Sequence, residues 1–415
     1  MEVMHAVCCG IDVHKDVLVV CLRCVVDGAA QKTTRQYGTT LPELRKLAEW
    51  LVEQRCPIVG MESTGVYWKP VYHVLSQVAE VLVGNPRDMH RRPGKKTDRI
   101  DADWISELLA HDLIRPSFVP SPEQRALRDL TRTRVTLVQS RTQAKNRVHK
   151  LLEDTNIKLG SVVTDLFGKS GRAMLNALVA GERNPQKLAQ LALGTLRKKV
   201  PQLELALEGM FTEHHAALIK MGLAEVDLLD QHIAELEKRI GELSGKMGPK
   251  IDICDSVPGV DRTAAVAVLA ETGEEMSRYG SAKRLGSWSG VCPGNNESAG
   301  KRYSGRTRRG NKWLRRVLVQ CAWAARKTDT AIGRRFRTLQ VRIGGKKAAL
   351  ATAHQILTTV YHLLVKGVRY DDEKCGRPKP EREVRQRLNA IRQLAQLGYS
   401  VTLQPIATAP APTPA

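Results

Sequence analysis

Asp12 follows directly on an apolar run in CGIDVHKD, Glu62 closes another in IVGMES, and Asp98 and Asp101 stand three residues apart in KKTDRIDADW. On a helix that last spacing puts two carboxylates on one face, where like charges weaken the helix unless something positive lies between them. A carboxylate at the end of each of two strands, with a pair heading a later helix, can converge on one point above a sheet. Four carboxylates in a small volume stay ionised only beside cations. Hard divalent ions, Mg²⁺ or Mn²⁺, are the natural occupants. Two such ions about 3.5–4 Å apart serve phosphodiester cleavage, activating the attacking oxygen and stabilising the leaving one. Taken singly, each acid is more often a helix-start or turn residue than a ligand. The pattern of strand end, strand end and helix start is what points to metal chemistry. Asp103, two residues beyond Asp101, should face elsewhere.

A second concentration of chemistry lies in LGSWSGVCPGNNESAGKRYSGRTRRGNKWLRRVLVQCAWAA, where eight Lys or Arg and no acid fall between Lys301 and Arg316. Gly300, Gly305 and Gly310 should keep this loop flexible and let the backbone approach a ligand. A solvated basic loop is the bland alternative. Unrelieved charge beside glycines favours a nucleic-acid contact through Lys301, Arg302, Arg306, Arg308, Arg309 and Lys312. The run HRRPGKK adds Arg91, Arg92, Lys95 and Lys96 beside the aspartate pair. A serine is a weak nucleophile unless a base or metal activates it, and the residue types alone leave Ser289, Ser298 and Ser304 equivalent.

These groups need elements to hold them. Residues 5 to 26 read as two strands with a break near His14 and Lys15, and QKTTRQY as a third. LPELRKLAEWLVEQ has helical periodicity, PIVGMES is a short strand, VYWKPVYHVLSQ a helix and EVLVGN another strand. The result is an α/β domain with a mixed sheet, closed near Leu113 by the helix that carries Asp98 and Asp101. From Ser121 the pattern becomes heptad: Leu130, Leu137, Ala144 and Leu151, with Leu127 and Val148 as companions and Arg134 and Arg141 in the intervening places. A second run holds Leu229, Ile233, Leu236, Ile240, Leu243 and Met247. Two long helices are predicted, pairing with each other or with another subunit. CDSVPGVDRTAAVAVLAETGE has the form of a helix-hairpin-helix, whose Gly259 would let backbone N–H groups face a phosphate; a plain Pro-Gly turn between core helices reads equally well. The expected domains are 1–118, 119–249, 250–368 and, beyond them, 369–415, a charged helix with a disordered Pro/Ala tail.

Composition limits the partners. Lys and Arg total 65 against 43 acids, a formal charge of +22, and an excess of that size attracts polyanions. Aromatic residues are only 4% of the chain, so backbone phosphate contacts fit better than base stacking. The nine cysteines follow no disulfide framework; Cys21 and Cys24 fall in an apolar run and read as buried thiols of a reducing cytosol. No signal-peptide layout opens the chain and nowhere do 18 apolar residues run together. A soluble cytoplasmic protein, associated with the nucleoid and with no membrane partner, is the expectation.

GIDVHKD, MESTGVYW and NPRDMHRRPGKKTDRIDADWISELL resemble the signature of the DEDD insertion-sequence transposases, RuvC-like recombinases related to the Piv DNA invertase. The second basic segment resembles the serine-containing domain of the same family, with Ser298-Ala299-Gly300 where the usual pattern has Ser-Gly. Together the resemblance spans about residues 5 to 365. It implies an RNase-H-like (RuvC-like) α/β domain, a helical coiled-coil linker, and a mainly α transposase domain with a helix-hairpin-helix-like motif. It implies that Asp12, Glu62, Asp98 and Asp101 form a catalytic, Mg²⁺-binding tetrad, and it selects Ser298 as the nucleophile that forms a phosphoserine intermediate. The implied partners are double-stranded DNA at the element ends and target, an element-encoded bridge RNA, and further copies of the chain, from dimer to tetramer. Acids and serine in different domains imply a composite site assembled from two subunits, with Arg134 and Arg141 available for nucleic-acid backbone. The nearest competing reading is a RuvC-like metal-dependent nuclease in which water attacks. A non-catalytic nucleic-acid scaffold, or a phosphotransferase of the actin and sugar-kinase type suggested by GIDVHKD, stands further off.

Overall fold

The computed structural model describes residues 2–26, 28–63, 65–86, 89, 98–294, 296–298, 300–307, 309–375, 379–400 and 402. The chain divides into two compact units, Met1–Ser121 and Pro122–Ala415. The N-terminal unit runs β1 (Val7–Val13), β2 (Val17–Val26), β3 (Ala29–Gly38), α1 (Leu41–Glu53), β4 (Ile58–Glu62), α2 (Trp68–Leu75), β5 (Glu80–Gly84) and α3 (Asp98–Ala110). Its sheet has the order β3-β2-β1-β4-β5. The first three strands are antiparallel neighbours, while β4 runs parallel to β1 and β5 parallel to β4. This is the mixed α/β sheet that the strand and helix pattern predicts. Both faces of β1 and β2 are covered, which is why VLVVCLRCVV reads as a continuous apolar run. At the edge, β3 is polar, and its Lys32 and Arg35 discourage pairing with a foreign strand.

Alternation along β1 decides what each face does. Cys9, Ile11 and Val13 join Leu44, Leu47 and Leu51 of α1 and Val71 and Leu75 of α2 in one cluster. Cys8 belongs to the opposite face, with Ile58 of β4 and Ile105, Leu108 and Leu109 of α3. Gly10 and Gly60, paired across β1 and β4, share that second face. A β-carbon at Gly10 would lie 2.3 Å from both the Ala102 carbonyl oxygen and the Ser106 nitrogen, so α3 rests on β1 backbone to backbone. Fully buried Leu109 and nearly buried Ile105 hold it there, each contributing roughly 1.5–3 kcal/mol. Trp104 Nε1 donates to the Met89 carbonyl at 2.9 Å, fixing the helix against the preceding chain. The helix ends at Ala110, short of the expected Leu113, because Asp112 takes a left-handed conformation with φ 53°. Cys8 and Cys21 are buried and Cys24 half-buried, all as free thiols; burial pushes Cys8 up to about 12.

Among its described residues the second unit is helical apart from one hairpin. Its elements are α4 (Pro122–Asp154), α5 (Leu159–Val162), α6 (Lys169–Val179), α7 (Pro185–Ala189), α8 (Val200–Leu207), α9 (Glu213–Ser244), α10 (Gly248–Asp255), α11 (Arg262–Thr272), α12 (Ala282–Ser289), β6 (Asn296–Ser298), β7 (Lys301–Ser304), α13 (Lys312–Ala325), α14 (Ala331–Ile343), α15 (Gly345–Lys366), α16 (Asp372–Cys375) and α17 (Lys379–Gln396). The two heptad helices, α4 and α9, lie along each other. Their ion pairs run in opposite numerical order, Arg134 with Glu237, Arg141 with Asp230 and Arg147 with Glu225, so the pair is antiparallel. At one end Val148 and Leu152 of α4 and Ile219 and Leu223 of α9 close over α5–α8 in a separate small core. At the other, Leu127 and Ile240 join the main core built by α10, α11 and α13–α15. Among the described residues α15 alone has the length and hydropathy of a membrane span. It buries Ala349, Ala353, Ile356 and Val360 in that main core.

Candidate functional site

Parallel pairing of β1 and β4 matches Ile11 with Met61, and one residue further on each strand stand Asp12 and Glu62. By alternation both fall on the α3 face, the face of Gly10 and Gly60. Because α3 lies so close at Gly10, its first turn brings Asp98 and Asp101 to the same end of the sheet. One carboxylate oxygen each of Asp12 and Asp98 and a ring nitrogen of His14 lie within 4.8 Å of one another, with His14 Nε2 at 3.0 Å from Asp12 Oδ2 and 3.5 Å from Asp98 Oδ1. Burial, with Asp101 and Asp98 adding to it, lifts the Asp12 carboxyl above its ordinary range in spite of its contact with His14. The donor set of two or more carboxylate oxygens and an imidazole nitrogen fits a divalent cation. Glu62 is half-buried and engaged in a contact of its own.

Asp103 does face elsewhere, as its spacing predicts. It accepts from Arg23 Nη2 at 2.7 Å and Lys32 Nζ at 2.8 Å, which neutralise it. His14 was legible only as a strand break; its place beside two acids depends on the β1–β2 turn, where its backbone nitrogen donates to the Val17 carbonyl at 3.1 Å.

In the second unit Ser298 is the last residue of β6, paired in register with Lys301 of β7. Residues 296–298 and 301–304 thus pair as an antiparallel hairpin, Gly300 takes φ +75°, and the described residues 305–307 and 309–311 lie outside strand and helix. Gly310 does not serve ligand approach: a β-carbon there would lie 2.4 Å from the Gly290 nitrogen. Lys301, Arg306, Arg309 and Lys312 are exposed, and Lys312 Nζ sits 5.2 Å from the centre of the Trp313 ring. Arg91, Arg92, Lys95, Lys96 and Arg308, and the side chains of Ser298 and Arg302, lie outside the described residues. Arg134 and Arg141, candidates for nucleic-acid backbone, pair with Glu237 and Asp230 across the α4–α9 seam. The Pro-Gly turn likewise serves packing. Gly259 (φ +86°) presses on α13, where a β-carbon would come to 2.3 Å from the Cys321 carbonyl oxygen. Asp261 caps α11 by accepting from the Ala264 nitrogen at 2.7 Å, putting a carboxylate where a phosphate was expected.

What the sequence did not suggest is Glu271. Only 3% of its side chain is exposed, yet it accepts two hydrogen bonds from Arg132, at 2.7 and 2.8 Å. Asn311 Nδ2 donates to it at 2.6 Å while Asn311 Oδ1 caps α13 by accepting from the Trp313 and Leu314 nitrogens. Arg128 donates to the backbone carbonyls of Ala270 and Glu271. One buried carboxylate thus ties α4, α11 and the start of α13, the helix that anchors the basic segment.

Comparison with known proteins bears on both units. A DEDD transposase family model of the IS110 type matches residues 9–157, and a second, for transposases of the IS116/IS110/IS902 family, matches residues 252–337. The protein named "Probable family 20 transposase" of Pseudomonas aeruginosa is 25% identical over 329 residues, covering 77% of this chain and 86% of its own. The transposase for insertion sequence element IS1111A of Coxiella burnetii is 24% identical over 384 residues, 88% of this chain and 91% of its own. The transposase for IS1328 of Yersinia enterocolitica is 25% identical over 298 residues, 69% and 77%. The two models together span more than half of the sequence in the same order as the acid-bearing sheet and the basic hairpin, and the chain belongs to the IS110/IS116/IS902 family of insertion-sequence transposases.

Proposed function

We propose that this transposase cuts and rejoins DNA through a divalent-metal site held by Asp12, Glu62, Asp98 and Asp101 and through Ser298 as nucleophile. The observation that carries the metal reading is the approach of Asp12 and Asp98 to a common point, with Asp12 raised by burial and by its acidic neighbours. The mixed sheet, with acids at the ends of two parallel neighbouring strands and on the helix above them, supports an RNase-H-like domain. A bound Mg²⁺ or Mn²⁺ would supply Lewis-acid stabilisation of charge at the scissile phosphate. Ser298 Oγ forms a bond to phosphorus as the bond to the leaving deoxyribose oxygen breaks. The serine proton is lost and the leaving oxygen gains one, so the exchange of one phosphodiester for another needs no external energy source. Attack on the phosphoserine by a hydroxyl of the partner strand reverses the step and rejoins the DNA. Exposed Lys301, Arg306, Arg309 and Lys312 beside the hairpin support phosphate contacts, with Arg91, Arg92, Lys95, Lys96, Arg302 and Arg308 completing the basic set.

We infer further that a structured RNA from the element specifies the DNA sites, and that two to four copies assemble on them with the helical arm as a coiled-coil contact. The +22 charge supports a polyanion partner of this size. The test uses cells carrying the whole element. Protein recovered under denaturing conditions and digested with nuclease should carry a nucleotide adduct on the Ser298 peptide, absent from Asp12→Ala and Ser298→Ala proteins. Recombination that survives Ser298→Ala without an adduct would assign the attack to water.

A further inference from the structure

We propose that His14 is a nitrogen ligand of the acidic site, so that the site selects among divalent ions by donor type as well as by charge. The inference rests on the reading of Asp12 and Asp98 as metal ligands. Ligand atoms on neighbouring corners of an octahedron with metal–ligand distances of about 2.1 Å lie about 3.0 Å apart. His14 Nε2 stands 3.0 Å from Asp12 Oδ2 and 3.5 Å from Asp98 Oδ1, so the nitrogen lies near the spacing of a neighbouring corner from each carboxylate oxygen. A plain histidine–aspartate hydrogen bond accounts for one of these contacts. Asp98 Oδ1, at 3.5 Å, stands outside that bond on the same nitrogen, where a cation would draw all three atoms together.

Among the described residues nothing else demands an imidazole here. The side chain is 44% exposed and belongs to no apolar cluster among the described residues. Its position is nevertheless fixed. The His14 backbone donates to Val17 across the turn, and Thr39 Oγ1 holds the next residue by donating to the Lys15 carbonyl at 2.9 Å. Nitrogen beside oxygen shifts preference from Mg²⁺ toward Mn²⁺ and later first-row ions, because imidazole suits transition metals and Mg²⁺ favours oxygen.

The test is pulsed electron paramagnetic resonance of Mn²⁺ bound to the metal-free, full-length protein. The echo should show ¹⁴N modulation that changes to ¹⁵N frequencies when the protein is grown on ¹⁵N-histidine. His14→Gln should abolish the modulation and lower the Mn²⁺-over-Mg²⁺ preference about tenfold, the lower end of what loss of even an outer-shell partner costs. His14→Asp should keep Mn²⁺ affinity while losing the nitrogen signal. Bound Mn²⁺ with no nitrogen modulation, or with modulation that persists in both variants, overturns the histidine ligand and leaves the carboxylate site standing. Failure of the wild-type protein to bind Mn²⁺, or undiminished binding by Asp12→Asn, overturns both.

Discussion

Replacing Gly10 by Ala adds one methyl group between α3 and β1, and the structure states what that methyl meets. Its nearest atoms are backbone, the Ala102 carbonyl oxygen and the Ser106 nitrogen at 2.3 Å, where ordinary contact begins at 3.4 Å. Neither can swing aside as a side chain would, so the helix must lift by about 1 Å. Overpacking of this kind costs roughly 1–3 kcal/mol, read as a lower urea midpoint with unchanged m-value. The functional cost should be larger than the stability cost, because Asp98 and Asp101 ride on the first turn of the displaced helix while Asp12 stays on the strand. A misplacement of about 1 Å costs on the order of a hundredfold in rate. Gly10→Ala should therefore fold, bind Mn²⁺ at least tenfold more weakly in calorimetric titration, and recombine at about 1% of wild type. A variant with normal stability and normal Mn²⁺ affinity would refute the claim that backbone contact at Gly10 sets the geometry of the acids.

Three further outcomes separate structure from chemistry. Asp103→Asn should cost on the order of 2–4 kcal/mol, since it weakens the neutralisation of Arg23, whose side chain is 8% exposed; calorimetry should find Mn²⁺ affinity unchanged. Glu271→Ala should destabilise the second unit by about 3–5 kcal/mol by leaving Arg132 and Asn311 without their acceptor, and hydrogen exchange should show fraying at the start of α13. Asp372 is pushed up by burial, but this is outweighed by donation from the Ala331 nitrogen, Tyr370 and Arg334, so its pKa is lowered on folding. A depressed carboxyl stabilises above its unfolded value near 3.9 and loses that contribution as pH falls through the folded value. The stability gap between wild type and Asp372→Ala should be about 1–2 kcal/mol at pH 7 and close below about pH 4.

The sequence was most informative where a pattern is local. Strand ends and a helix start locate Asp12, Glu62, Asp98 and Asp101 from their neighbours alone, and the heptads of α4 and α9 announce themselves by spacing. It was least informative where a partner lies far along the chain. Arg134 looks like a free cation until Glu237, more than a hundred residues away, is folded against it. Gly310 looks like loop freedom until Gly290 is seen filling its space. Glu271 sits in the unremarkable AETGEE, and only α4 supplies the arginines that give it a role. His14 fell between the two cases, since a residue at a strand break is usually turn-forming, and its acidic neighbours include one on α3.

The antiparallel helices have a bearing on how such proteins diversify. At about 1.5 Å per residue, the 33 residues of α4 extend about 50 Å. The cluster at their far end is inserted between an outgoing and a returning helix, so it and the main core occupy opposite ends of that pair. The two matched family spans, 9–157 and 252–337, leave residues 158–251 between them, which are this cluster and the returning helix. Removing whole turns from both helices together would shorten the boom and carry its tip inward, while α4 would still deliver Arg128 and Arg132 to Glu271. Reach, in this architecture, is adjustable independently of the main helical core.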